Sequence, residues 1–154
     1  MKEVAIETLK ITSEAFKHNE YIPSYYTCDG ENKNPPIHID NIPEGTICLA
    51  IIVDDPDAPG GTFTHWIVWN IPTKKVIENN ALTGGIEGKN DFRKYNYGGP
   101  CPPSGTHRYF FKVYALATLL HLNPDSNQKA LEIAMEGRIL GYGELIGLYQ
   151  KMKK

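Results

Sequence analysis

Residues 46–71 read TICLAIIVDDPDAPGGTFTHWIVWNI, and the fold turns on them. Thr46–Val53 is apolar and rich in β-branched residues, the composition of a strand covered on both faces. An acidic turn dense in proline and glycine follows, and His65–Ile71 resumes an aromatic, β-branched run of the same kind. Two buried strands joined by a turn of that chemistry predict neighbouring strands deep in a sheet.

Working outward, Arg108–Ala117 (RYFFKVYALA) is a third run of this type. Val4–Ile11 alternates with one slip, which predicts a bulged strand. Ile37–Ile39 is a short strand, and Glu144–Gln150 returns as a last one. One segment alone has helical spacing, PDSNQKALEIAMEGRIL at 124–140. Asp125 or Ser126 serves as its expected N-cap, Leu131, Ala134 and Met135 form its apolar stripe, and Gly141 or Gly143 ends it. A chain with this order is mainly β, a β-sandwich with a helix packed on one side near the C-terminus. At 154 residues, 1–154 form a single domain.

Two segments, IPSYYTCDGENKNPP at 22–36 and ENNALTGGIEGKNDFRKYNYGGPCPPSGT at 78–106, exceed the roughly 12–15 residues usual for structureless loops. Loops that long in a compact domain tend to carry function. The second ends in His107 at the mouth of a strand, just as DDPDAPGGTFT delivers His65.

Strand alternation puts His65 on a face with Ile67, Trp69 and Ile71, and His107 with Tyr109, Phe111, Val113 and Ala115. Asp54, Asp55 and Asp57 follow the C-terminal end of Thr46–Val53. Antiparallel pairing of these strands brings the carboxylates and imidazoles to one rim. An aspartate beside a histidine holds its proton on one nitrogen, leaving the other to meet an anion, and Tyr109 adds a phenolic donor. The glycines before Pro100 offer backbone N–H groups without side-chain bulk. The bland readings are a hydrogen-bonded structural histidine at each strand end and a DPDAP sequence that is simply a good turn.

The remaining chemistry narrows the field. Sixteen basic and eighteen acidic residues give a net charge of −2, which supplies no global attraction to nucleic acid or anionic membrane. The closing KMKK reads as a solvated tail. No apolar run approaches the roughly 20 residues of a membrane helix, and MKEVAIETLKI lacks a signal-peptide core, so a cytoplasmic protein without integral membrane association is expected. Cys28, Cys48 and Cys101, odd in number and widely spaced, suggest neither a disulfide framework nor zinc; Cys48 reads as core and Cys101 as a loop thiol open to reactivity. No G-x-S-x-G elbow, phosphate-binding P-loop or H-E-x-x-H motif occurs, and Ser104 reads as a turn serine. DPD with two histidines has enough donors for a divalent metal, but Pro56 and the lack of a denser cluster speak against one. Neither a metal nor a cofactor is expected.

In this order, DDPDAP, THWIVWNIP and GGPCPPSGTHRYFFKVYAL resemble the phosphatidylethanolamine-binding protein family, in its compact prokaryotic, Raf kinase inhibitor-like branch. The resemblance runs from IPSYYTCDGENKNPP to EGRILGYGELIGLYQK. It implies two antiparallel sheets and a small pocket at one end for phosphate-like or carboxylate anions. Carried over by motif, the pocket residues are Asp55, Asp57, His65, Gly99, Pro100, His107 and Tyr109. The expected function is binding of a small anionic or phosphorylated ligand without turnover, with Asp55 or Asp57 orienting His65. Inhibition of a kinase or protease through the surface loops is the alternative, and aromatic strand faces are compatible with a homodimer. Larger eukaryotic relatives carry a longer insert before the histidine and a C-terminal helix. Here only GGTFT intervenes and the sequence ends at YQKMKK.

Overall fold

The computed structural model describes residues 5–79 and 82–151; Val4 and the last three residues of KMKK lie outside them. In chain order the elements are β1 (Glu7–Thr8), β2 (Lys10–Thr12), β3 (Ile37–Asp40), β4 (Cys48–Asp55), β5 (Phe63–Pro72), β6 (Val76–Ile77), β7 (Ile86–Glu87), β8 (Thr106–Leu116), α1 (Gln128–Met135) and β9 (Ile139–Gln150). A six-stranded sheet runs β1-β9-β8-β4-β5-β7, and a three-stranded sheet runs β2-β3-β6. All pairings are antiparallel except β1 with β9. The chain is therefore mainly β, two sheets face to face with one helix behind the larger.

β4 shows why the layers form. Every one of its residues is buried. Leu49, Ile51 and Val53 point toward the small sheet and join Ile11, Ile37, Ile39 and Ile77 in one core. Cys48, Ala50 and Ile52 point the other way and meet Leu131 and Met135 of α1 in a second core. An unbroken apolar strand is what a sheet covered on both faces requires.

β5 departs from simple alternation twice. Val53 pairs with Trp66 and Asp54 with Thr64, so His65 is an extra residue on β5, a β-bulge. A second irregularity near Asn70, whose φ is +55°, carries Ile71 to the core between the sheets, while Ile67 and Trp69 lie under the helix. The single face expected for His65, Ile67, Trp69 and Ile71 is thus split. The expectation for β8 holds, with Tyr109, Phe111, Val113 and Ala115 on one buried face.

Three other boundaries differ from the sequence reading. The slip in the first strand is a change of sheet: β1 joins the large sheet and β2 the small one. Helix α1 is capped by Asn127, whose side chain accepts from the Ala130 amide at 3.0 Å, in place of Asp125 or Ser126. It stops at Met135, with Gly137 at φ +75°, and β9 begins at Ile139. Gly141 and Gly143 consequently lie within β9. A Cβ on Gly143 would stand 2.2 Å from the Leu9 carbonyl oxygen, so this glycine admits the crossing N-terminal strand.

The largest correction concerns the cysteines. Cys28 and Cys101 form a disulfide across 73 residues of sequence, and Cys48 is the buried free thiol. The two long loops pack on one another and bring the pair to a Cα separation of 5.5 Å, a proximity that spacing in the sequence does not carry. Closing a loop of this length removes denatured-state entropy worth about 4 kcal/mol in the chain-entropy description.

Candidate functional site

At one end of the sandwich, the end of β4 and the starts of β5 and β8 meet beneath the loop of residues 88–105. They enclose a cavity of about 220 Å³ lined by Asp55, His65, His107 and Tyr109 below and by Phe63, Phe92, Pro102 and Pro103 among its walls. The strand register explains the meeting. Asp55 is on the face of β4 that turns toward the small sheet, His107 and Tyr109 are on the same face of β8, and the bulge turns His65 onto that face of β5.

Each imidazole is held through Nδ1. His107 Nδ1 donates to Asp55 Oδ2 at 2.6 Å, within a pair that is almost wholly buried. His65 Nδ1 donates to the Gly98 carbonyl oxygen at 2.7 Å, and Gly98 N–H donates back to the His65 carbonyl at 3.0 Å. A carboxylate and a carbonyl can only accept, so each ring carries its hydrogen on Nδ1 in these bonds. Nε2 of both rings has no protein hydrogen-bond partner among the described residues. Burial pushes the pKa of His65 below its ordinary value of 6.5, against the opposing pull of the Gly98 carbonyl and the Asp55 charge. It was Asp55 or Asp57 that was expected to orient His65; Asp55 holds His107 instead, and Gly98 holds His65.

Tyr109 forms the floor between the two rings. Its ring lies edge-on to His65 with centroids 5.2 Å apart and stacks on His107 at 6.4 Å. The residue is 0% exposed, and its hydroxyl has no well-formed hydrogen bond among the described residues. Burial, reinforced by the Asp55 charge, drives its pKa upward, so it is a protonated phenol. An orphaned buried hydroxyl is costly and is uncommon in folded proteins.

Of the seven residues anticipated from sequence, the structure gathers Asp55, His65, His107 and Tyr109 around this cavity. Asp57, Gly99 and Pro100 lie outside its lining. Asp57 grips Arg108 through two side-chain hydrogen bonds of 2.8 and 2.9 Å and accepts the Arg108 amide, which ties the acidic turn to the start of β8. That guanidinium holds the Asp57 carboxyl down to a pKa of about 2. Gly99 donates its N–H to Asn32 Oδ1 at 2.8 Å, so neither it nor Gly98 has an amide left to cradle a ligand. A Cβ on Gly99 would meet the Tyr26 carbonyl oxygen at 2.4 Å, so the glycine serves the docking of one loop on the other.

Sequence reasoning missed the walls. Phe63, which pairs with Asp55 in register, and Pro102 and Pro103 sit inside the quoted motifs and were legible as neighbours. Phe92 carries no such signal, because its place depends on the path of a long loop. Among the described residues, no three metal-ligating side chains converge, and no helix is long and apolar enough to cross a membrane.

A sandwich of this topology with an imidazole-carboxylate pocket at one end defines a class, and comparison with known proteins agrees. The chain belongs to the phosphatidylethanolamine-binding protein family, whose sequence profile matches residues 12–150. A UPF0098 protein of Pyrococcus horikoshii is 50% identical over 154 residues, spanning 94% of this chain and 77% of that protein. One from Aquifex aeolicus is 46% identical over 152 residues, spanning 93% of this chain and 89% of its own. Among solved structures, a phosphatidylethanolamine-binding protein homolog from Chlamydia trachomatis superposes with a TM-score of 0.90 at 34% identity, over 95% of this chain and 99% of that one. YbcL of E. coli, described as a member of the mammalian family, gives 0.86 at 31% identity over 94% and 99%.

Proposed function

We propose that the protein binds a small, singly charged oxyanion of the phosphate or phosphomonoester type in this pocket, without turning it over. The observation that carries the reading is that His65 and His107 line one cavity, each ring held through Nδ1 and with Nε2 making no hydrogen bond to the described residues. Protonated His107 donates from Nε2 to a ligand oxygen while Asp55 balances its charge across the shared hydrogen bond. Neutral His65 offers Nε2 as an acceptor and so takes a hydrogen bond from a ligand hydroxyl. One donor cation and one neutral acceptor match an oxyanion that still carries a proton.

Absence of turnover is supported by what lines the cavity. Cys101 is tied in the disulfide and Tyr109 is held protonated by burial, so neither serves as a nucleophile on the wall. The apolar rim of Phe63, Phe92, Pro102 and Pro103 lowers the local dielectric, which strengthens charge-assisted hydrogen bonds inside.

The test is a titration of inorganic phosphate followed by the imidazole NMR signals of His65 and His107. Both are expected to move saturably near pH 6–7. His107→Ala should weaken binding roughly tenfold or more, the scale of one charge-assisted hydrogen bond. Unmoved signals at millimolar phosphate would reject the assignment.

A further inference from the structure

The Cys28–Cys101 disulfide stands at the pocket itself. Cys101 lines the anion cavity and also a second cleft of about 390 Å³ on its other side, which it shares with Cys28, Asn32, Phe92, Lys94 and Gly99. With Phe92, it forms the partition between the two.

The loops are joined at several points, and the disulfide is the last of these in sequence. Tyr97 donates its hydroxyl hydrogen to the Tyr26 carbonyl at 2.8 Å, Gly99 N–H donates to Asn32 Oδ1, and Cys28 N–H donates to the Pro100 carbonyl at 3.1 Å. Residues 97–100 are therefore anchored whatever the state of the sulfurs. Beyond them, residues 101–105 make no well-formed hydrogen bond among the described residues until β8 begins at Thr106. This span supplies Pro102 and Pro103 to the pocket wall, and Cys101 lines the same cavity as Tyr109. Covalently, the wall is held by one sulfur–sulfur bond. Cys28, at its outer end, is exposed.

We propose that this bond is a redox gate on the pocket: oxidised, it holds the Cys101–Pro103 wall against Tyr109, and reduced, it frees that wall and weakens the site. The proposal rests on the pocket being the anion site. The reductant is a dithiol. Its thiolate attacks the exposed Cys28 sulfur, the protein S–S bond breaks, and Cys101 departs as a thiolate that takes up a proton. The second thiol of the reductant then closes on the first, giving the cyclic disulfide of the reductant and releasing Cys28 as a thiol. Two electrons and two protons pass from the dithiol to the protein. Cys48 takes no part, being buried.

The experiment compares oxidised protein with protein reduced by dithiothreitol, thiol count and far-UV circular dichroism being checked on each. Imidazole NMR signals of His65 and His107 are recorded without ligand and then with inorganic phosphate. Reduction should shift or broaden both signals and weaken phosphate binding roughly three- to tenfold, the scale expected when a preorganised wall loses its order. Cys28→Ala, which removes the bond and leaves Cys101 in place, should reproduce the reduced state and ignore dithiothreitol. Identical imidazole signals and identical phosphate affinity in the two folded forms would overturn the gate and leave the anion site standing. Signals that move on reduction in a protein that binds phosphate in neither form would remove the anion reading and, with it, the gate on that site. Loss of the fold on reduction, or in Cys28→Ala, would also overturn it, since the bond would then be a structural staple only.

Discussion

Two adjacent aspartates on β4 lie on opposite faces of the same sheet and have opposite fates. Asp54 and Asp55 are 2% and 3% exposed. Asp54 accepts from Lys112 Nζ and from Gln128 Nε2, both at 2.8 Å, and Gln128 in turn accepts from Thr64 Oγ1 at 2.5 Å. Thr64 N–H donates to Asp91 at 2.7 Å. This network ties β4, β5, β8, a loop and the first turn of α1 together. The cleft beside it is larger than the anion pocket, about 410 Å³, yet its central groups already spend their hydrogen bonds on one another. Asp55 accepts from the Asp57 amide at 2.8 Å and from His107 Nδ1 at 2.6 Å, and of these partners His107 lines an open cavity. A closed polar network holds a fold together, whereas one left open at a single atom is equipped to bind. Size of cavity does not separate the two; the tally of unspent donors and acceptors does.

That contrast can be broken by substitution. Asp54→Ala strands Lys112 and Gln128 in a mostly buried setting and should cost about 2–4 kcal/mol of stability in urea denaturation, with phosphate affinity of the folded protein little changed. Equal loss of affinity would show that the two faces are not independent. Asp55→Asn should do the reverse: phosphate binding falls roughly tenfold, while stability moves less than in Asp54→Ala. The smallest effect is on pH dependence. Because the folded pKa of His65 lies below 6.5, the unfolded chain takes up its proton first as the pH falls. His65 therefore makes stability drop with falling pH, from about 6.5 down to its lower folded value, with a slope of at most about 1.4 kcal/mol per pH unit. His65→Gln should flatten that part of the profile, measured as denaturation midpoint against pH; an unchanged slope would mean that His65 titrates alike in both states.

Much of the architecture was legible because it is written in local pattern. The runs at β4, β5 and β8 announce themselves by β-branched and aromatic content, and Leu131, Ala134 and Met135 mark the buried stripe of α1. His65 is a more instructive case. Simple alternation assigned it to the face of Ile67 and Trp69, yet it reaches the cavity because a bulge inserts it beside Trp66. The residue lines the cavity although the structure does not keep the periodicity that singled it out. Bulges depend on which partner strand pairs where, and single-strand alternation is blind to that. Gly141 and Gly143 misled for a related reason: glycine ends helices, but it also admits a crossing strand, and the distinction lies in what crosses.

By itself the sequence determined the strand-rich class, the one helix and its buried stripe, and the acidic turn and histidines from which the pocket is drawn, since these follow from side-chain periodicity and turn chemistry within a few residues. Tertiary structure alone decided that Asp55 serves His107, that Gly98 serves His65, that Asp57 and Gly99 are spent on the scaffold, and that Cys28 meets Cys101. Each of those outcomes is a competition for one donor, acceptor or sulfur among groups tens of residues apart, and the winner is set by the packing of the loops.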